Sequence, residues 1–222
     1  MRQLAMMCRS LPAVVTMLLV ASAAPGQTQP ADSDDRTLEA AAAPFEDRML
    51  AARLARWGLA QEDPLALIVA ARMRLSAPFS PIERGIAPDT PVSDPATEWL
   101  EAAERLSGGD PRLLALISDL RATGTKGRLG GPRVSMARVG SGSVDRYREP
   151  FRPTAPAVVY VEGDGDTDLT LTVRAPGGAV VCREDDRGDL KMCVWTPTSA
   201  GPHMIEVSNS GAVDNAYSLA TN

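Results

Sequence analysis

Asp164, Asp166 and Asp168 stand at alternate positions in "VEGDGDTDLTLTVRAPGG", residues 161–178. Carboxylates at that spacing are the raw material of a calcium loop, since calcium takes about 6 to 8 oxygens and several acids must converge on it. Asp185 and Asp186, with Glu184 and Asp189, follow in the next acidic loop and could complete such a shell. An EF-hand is excluded. Counted from Asp164, the sixth position is Leu169 where glycine is required, and the twelfth is Ala175 where a bidentate glutamate is required. The competing reading is a tight turn over Gly163–Asp166 whose Asp side chains accept from its amides. Residues of a turn need not share a face, so the turn reading takes precedence, and calcium is the one cofactor the sequence suggests.

Catalytic machinery is harder to assemble. His203 is the single histidine, in a predicted strand, where a half-exposed sheet residue is expected before a general base. No G-x-S-x-G elbow, P-loop or H-E-x-x-H is present. "GSGS" at Gly140–Ser143 lacks the lysine and the following helix of a phosphate loop. Trp57 and Trp99 lie on apolar helix faces and are expected in the core, while the place of Trp195, just before Thr196-Pro197, is open. The expectation is a protein that is not an enzyme.

The first residues speak of export. Arg2 and Arg9 flank a positive segment, Leu11–Val20 is apolar, and "ASAAP" offers small residues to a signal peptidase. The apolar run is shorter than the roughly 20 residues that span a bilayer. Residues 1–24 are therefore expected to be a signal peptide cut near Ala23 or Ala24, giving a periplasmic or secreted protein without stable membrane insertion. Cys8 leaves with it. Cys182 and Cys193 remain, and in an oxidising compartment they are expected to form one disulfide. The formal charge of −5, two units more negative once Arg2 and Arg9 are removed, makes nucleic acid a poor partner.

The elements that must position these residues fall into two halves. A polar, unstructured lead-in is expected over 25–35, a small bundle of helical hairpins over 36–123, a linker over 124–132 and a β-sandwich over 133–222. In the first half, Phe45, Met49, Leu50, Leu54 and Trp57 mark one helical face. Asp63-Pro64, Asp94-Pro95 and Asp110-Pro111 each precede an apolar-periodic run, with Asp as N-cap and Pro at the first helical position. In the second half the period drops to two. Six short segments, from "PAVVYVEG" to "AYSLATN", are separated by Gly, Pro, Asp and Asn, and "VSMARVG" and "DRYREPF" offer up to two more, as in an antiparallel, jelly-roll-like sandwich. The fold class is thus α+β. In "LTLTVR" the Leu and Val face is expected inward and Thr170, Thr172 and Arg174 toward water.

Several of those turns stand at fixed offsets from their strands. The acidic turn and strand of Asp166–Val173, the turn of Pro176–Gly178, the acidic loop of Glu184–Asp189, the turn of Pro197–Gly201 and the closing Asn209–Leu219 resemble the bacterial pre-peptidase C-terminal domain. The resemblance covers roughly the last third of the chain. It implies a compact β-sandwich appended to exported bacterial proteins, aiding binding or localisation, with calcium bound in some members. Thr170 and Arg174 stand where that family often carries acids.

Together these readings describe an exported, non-catalytic binding or interaction module of the bacterial envelope, its partner an envelope or extracellular protein or a glycan. The alternative is a calcium-dependent adhesion or matrix-binding domain, which requires the acids to converge. A hydrolase would require a pocket with a nucleophile beside His203.

Overall fold

Each of the three Asp-Pro pairs opens a helix. In the computed structural model, which describes residues 31–76, 79–82, 94–124 and 131–222, α1 spans Ala31–Ala60, α2 Pro64–Ser76, α3 Pro95–Leu106 and α4 Pro111–Gly124. Asp63 Oδ1 accepts from the amides of Leu65 (2.9 Å) and Ala66 (3.1 Å), Asp94 Oδ1 from Ala96 (2.9 Å) and Asp110 Oδ1 from Arg112 (2.8 Å). Each cap is worth about 1 kcal/mol. The proline that follows has no amide to waste at that position.

The expected signal peptide lies outside the described residues, as does most of the linker. The lead-in is shorter than expected, since its last five residues, 31–35, are already helical. The segment after Ala31 is rich in Ala, Leu and Arg, and adding a turn to an existing helix needs no new nucleus. The helix runs on through Pro44, which forgoes one backbone bond.

The six expected strands form, and the two further segments, "VSMARVG" and "DRYREPF", are strands as well. They are β2 (Arg133–Val139), β3 (Val144–Pro150), β4 (Ala157–Gly163), β5 (Leu169–Arg174), β6 (Val180–Glu184), β7 (Leu190–Trp195), β8 (Pro202–Asn209) and β9 (Asn215–Thr221). A ninth, β1 (Ser80–Pro81), belongs to the helical half and joins the sheet parallel to β2, through Ser80 N to Pro132 O (2.8 Å) and Ile82 N to Val134 O (2.7 Å). One sheet has the order β1-β2-β9-β4-β7 and the other β3-β8-β5-β6. Val159, Val161, Leu169, Leu171, Val173, Ile205, Val207 and Leu219 fill the space between them. Cys182 and Cys193 are bonded (S–S 2.01 Å, Cα–Cα 5.9 Å), tying edge strand β6 of one sheet to edge strand β7 of the other. The chain is an α+β protein with N-terminal helices and a C-terminal β-sandwich.

The helices pack on the outer face of the five-stranded sheet. Phe45 of α1 meets Phe79 and Tyr160 edge-on, at ring-centroid distances of 5.5 and 6.5 Å, over Val158 and Ala220. Beside this apolar seam lies a buried charge cluster. Glu162 of β4 receives Arg74 Nη1 on both oxygens (2.5 and 2.6 Å) and the Tyr160 hydroxyl on Oε2 (3.0 Å). Arg74 Nε also donates to Asp94 Oδ1 (2.9 Å), and its guanidinium stacks on Trp99, 5.3 Å from the ring centre. Arg48 of α1 sits within 3.7 Å of Glu162 and 3.8 Å of Asp94, its guanidinium over Phe79 at 4.6 Å.

Two positive and two negative groups therefore balance at the junction of helix and sheet. Burial, and then the charge of Arg74, lower the pKa of Arg48. Burial also acts against Arg74, but Glu162 and Asp94 outweigh it and the pKa of Arg74 is raised. For Asp94 burial is likewise overcome, here by Arg74 and Arg48, and its pKa is lowered.

Removing one member should cost more than the cluster contributes. Glu162→Ala leaves two buried guanidiniums without their counter-charge and is expected to lower unfolding free energy by about 3–5 kcal/mol, measured by denaturant titration. Replacing Arg48, Arg74 and Glu162 together by Met is expected to recover most of that loss. Asp94 is the acid-sensitive member. Its folded pKa lies below the ordinary 3.8, so its contribution is complete above that value and is lost as pH falls through the lower, folded one. Thermal melts of wild type and Asp94→Asn are expected to differ above about pH 4 and to converge as the pH is lowered below it.

Candidate functional site

The acids that suggested calcium are dispersed among separate partners. Asp164 accepts from the amides of Asp166 (Oδ1, 3.2 Å) and Ala216 (Oδ2, 2.8 Å), and Asp168 Oδ1 from the amide of Gly188 (2.7 Å). Asp166 is exposed on the same turn. In the next loop Asp185 pairs with Arg183 (2.8 Å), which lowers its pKa, and Asp186 pairs with the buried Lys191. Asp189 Oδ2 accepts from Gly165 N (2.6 Å) while Oδ1 faces Arg56 Nη2 (2.7 Å). Among the described residues no three His, Cys, Asp or Glu side chains gather around a point that one ion could occupy. Gly163 is required where these turns meet: a Cβ there would fall 2.3 Å from Asp189 Oδ2 and 2.5 Å from Asn215 Oδ1.

His203 is not half-exposed. It points into the sandwich in phase with Ile205 and Val207, and is 1% exposed. Its ring lies 5.6 Å from Phe151 and 5.7 Å from Trp195, with Nδ1 3.3 Å from Gly201 O. The space that a hydrolase would need there is filled by aromatic rings. Thr172 is also buried, contrary to its expected place in water.

The tryptophans divide. Trp99 is buried as expected and Trp195 joins it in the interior, but Trp57 is 53% exposed, and Leu50, two turns earlier on the same face of α1, is 55% exposed. Leu65 and Val69 on α2 and Leu116 on α4 are also exposed. A periodic apolar pattern fixes which residues share a helix face. It does not say that a neighbour covers all of that face.

A cleft of about 490 Å³ opens between α1, α3 and the outer face of the five-stranded sheet. Trp99, Ala102 and Arg105 of α3 line it at helical spacing, with Arg56 and Leu59 from α1 and Met136, Arg138 and Ser218 from the sheet. In the sheet, Ser218 pairs with Met136 on one side and Glu162 on the other, so the cleft begins where the buried charge cluster ends. Neither this cleft nor the roles of Arg48, Arg74 and Glu162 were read from the sequence. One signal was available: "AVVYV" in β4 is apolar without alternation, as in a strand covered on both faces.

No family model matches the chain, and no curated protein matches it. Among solved structures, it is similar to the periplasmic inhibitor of g-type lysozyme from Aeromonas hydrophila, with 17% identity over 41% of this chain and 84% of that one and a TM-score of 0.33. The Yersinia pseudotuberculosis-derived mitogen gives 15% identity over 42% and 86%, with a TM-score of 0.32. The pre-peptidase C-terminal domain of collagenase from Bacillus anthracis gives 13% identity over 42% and 80%, with a TM-score of 0.24. The expected resemblance to that last domain is thus a weak one of fold, and likenesses at this level carry no argument about function.

With their oxygens engaged by amides and cations, the acidic turns are expected to act as caps. Asp164→Ala should destabilise the protein by about 1 kcal/mol, as loss of a side-chain cap does. Melts of the wild type with calcium and with chelator should coincide. A filled site at about 100 times its dissociation constant would instead add roughly 2.7 kcal/mol.

Proposed function

We propose that the chain is an exported, non-catalytic binding module of the bacterial envelope that meets a protein partner through the outward stripe of the α1–α2 hairpin. The observation that carries this reading is the exposure of Leu50, Trp57, Leu65 and Val69 on those two helices, each at 40% or more. Large apolar side chains left in water on adjacent helices favour association, and tryptophan is among the residues that most often dominate an interface. The Cys182–Cys193 bond fits an oxidising compartment, and the apolar, small-residue pattern of residues 11–25 fits an export signal.

The reading is tested by placing a photoreactive benzoylphenylalanine at position 57 in the exporting bacterium and irradiating intact cells. A single adduct with one other protein is expected. It should be lost with Leu65→Glu and should not form when the probe stands at Thr198 on the sandwich. No adduct, an adduct indifferent to Leu65→Glu, or one of twice the chain's own mass would overturn it, the last by making the stripe a self-association surface.

A further inference from the structure

The cleft between α1, α3 and the sheet has an unequal distribution of unused groups. Its three acids, Glu98, Glu162 and Asp164, all have partners: Glu162 is held by Arg74 and Tyr160, and Asp164 by the amides of Asp166 and Ala216. Arg56 is engaged as well, donating to Gly163 O (3.0 Å) and facing Asp189. Arg105 on the helical wall and Arg138 on the sheet wall are exposed and make no hydrogen bond or ion pair among the described residues. On the sheet floor, Ser218 is 2% exposed and its hydroxyl has no hydrogen-bond partner. A buried hydroxyl left unbonded is uncommon and calls for a partner, which in a cleft can be a water or a bound molecule. The rest of the lining is apolar, from Trp99, Ala102, Leu59 and Met136.

From this arrangement we infer that the cleft is a binding site for a small amphiphilic anion, a carboxylate, sulfonate or phosphate head on an apolar ring or chain. The head group lies between Arg105 and Arg138, which enter from opposite walls and can each offer a forked pair of donors. The apolar body lies along Trp99 and Met136, and the Ser218 hydroxyl gains a partner. At about 490 Å³ the space suits a molecule of drug-like size, for which cavities of roughly 300–1,000 Å³ are usual. The opening lies where the helical half meets the sandwich, and interfaces between structural units are among the preferred places for such sites. This site is separate from the exposed α1 stripe, because Leu59 and Arg56 lie on a different side of α1 from Trp57 and do not depend on a protein partner.

The test uses the full chain and two fluorescent probes of similar body. One is the anion 8-anilinonaphthalene-1-sulfonate and the other is neutral N-phenyl-1-naphthylamine. The wild type is expected to bind one equivalent of the anion and to bind the neutral probe more weakly. Arg105→Ala with Arg138→Ala should weaken anion binding by about ten- to a hundredfold, while far-UV circular dichroism stays unchanged because both side chains are exposed. Ser218→Ala should weaken it less, and Trp57→Ala, a control for dye on the exposed stripe, should leave it unaltered. The inference is overturned if the anion does not bind, if the double variant binds it as tightly as the wild type, if the neutral probe binds equally well, or if Trp57→Ala abolishes the signal.

Discussion

Arg74 and Glu162 meet where a helix lies on a sheet, and both are closed off from water. Removing two charges from solvent costs several kcal/mol for each ion, repaid only when every group finds its partner in good geometry. Here the repayment needs four elements at once: α2 brings Arg74, α1 brings Arg48, β4 brings Glu162 and the start of α3 brings Asp94. The apolar seam of Phe45, Phe79 and Tyr160 supplies adhesion but little direction, because one aromatic contact can be exchanged for another. The charges cannot slide without being left unpaired. Helices and sandwich are thus held at one position by the part of the interface that is costly to disturb.

That position creates the cleft. Asp94 is both the N-cap of α3 and a partner of Arg74, so the first turn of α3 is fixed to the charge cluster. Farther along, Arg56 ties α1 to the turn before β7 through Asp189 and to the end of β4 through Gly163 O. Between these two attachments the outer face of the sheet carries Met136, Arg138 and Ser218, residues too polar or too sparse to form a dry seam. The apolar part of that face is covered by Phe45, and the mixed part stays open.

Much of this architecture is legible in the sequence, because it rests on local rules. The three Asp-Pro pairs announce three helix starts, and alternation with turn residues announces six strands and leaves room for the two more that form. What failed had a different physical origin. Period tells which residues share a face but not what covers it, so Trp57 and Leu50 were expected inside and stand in water. For His203 phase and residue type disagree: it alternates with Ile205 and Val207, both inward, and phase decides its place although a histidine is more common at the surface. Strand β1 has two residues and no period at all. The charge cluster joins residues 88 positions apart, Arg74 and Glu162, and no local rule reaches that far.

The acidic stretch that first drew attention shows how net charge can mislead about a surface. The chain carries 28 acids against 23 basic residues, which suggests a protein that repels anions. Many of those acids already have partners in the fold. Asp164 and Asp168 hold turn amides, Asp63, Asp94 and Asp110 cap helices, Glu162 neutralises Arg74, and Glu206 takes hydrogen bonds from Arg174 and Arg146 that lower its pKa. A carboxylate paired with a guanidinium, such as Glu162 or Glu206, presents little field outward, whereas one that caps neutral amides keeps its charge, and salt screens either beyond about 10 Å. An uncommitted guanidinium such as Arg105 or Arg138 keeps its charge and its donors available. Local potential in the cleft is therefore set by which charges lack partners rather than by the total, and a chain of negative net charge can present a site for an anion.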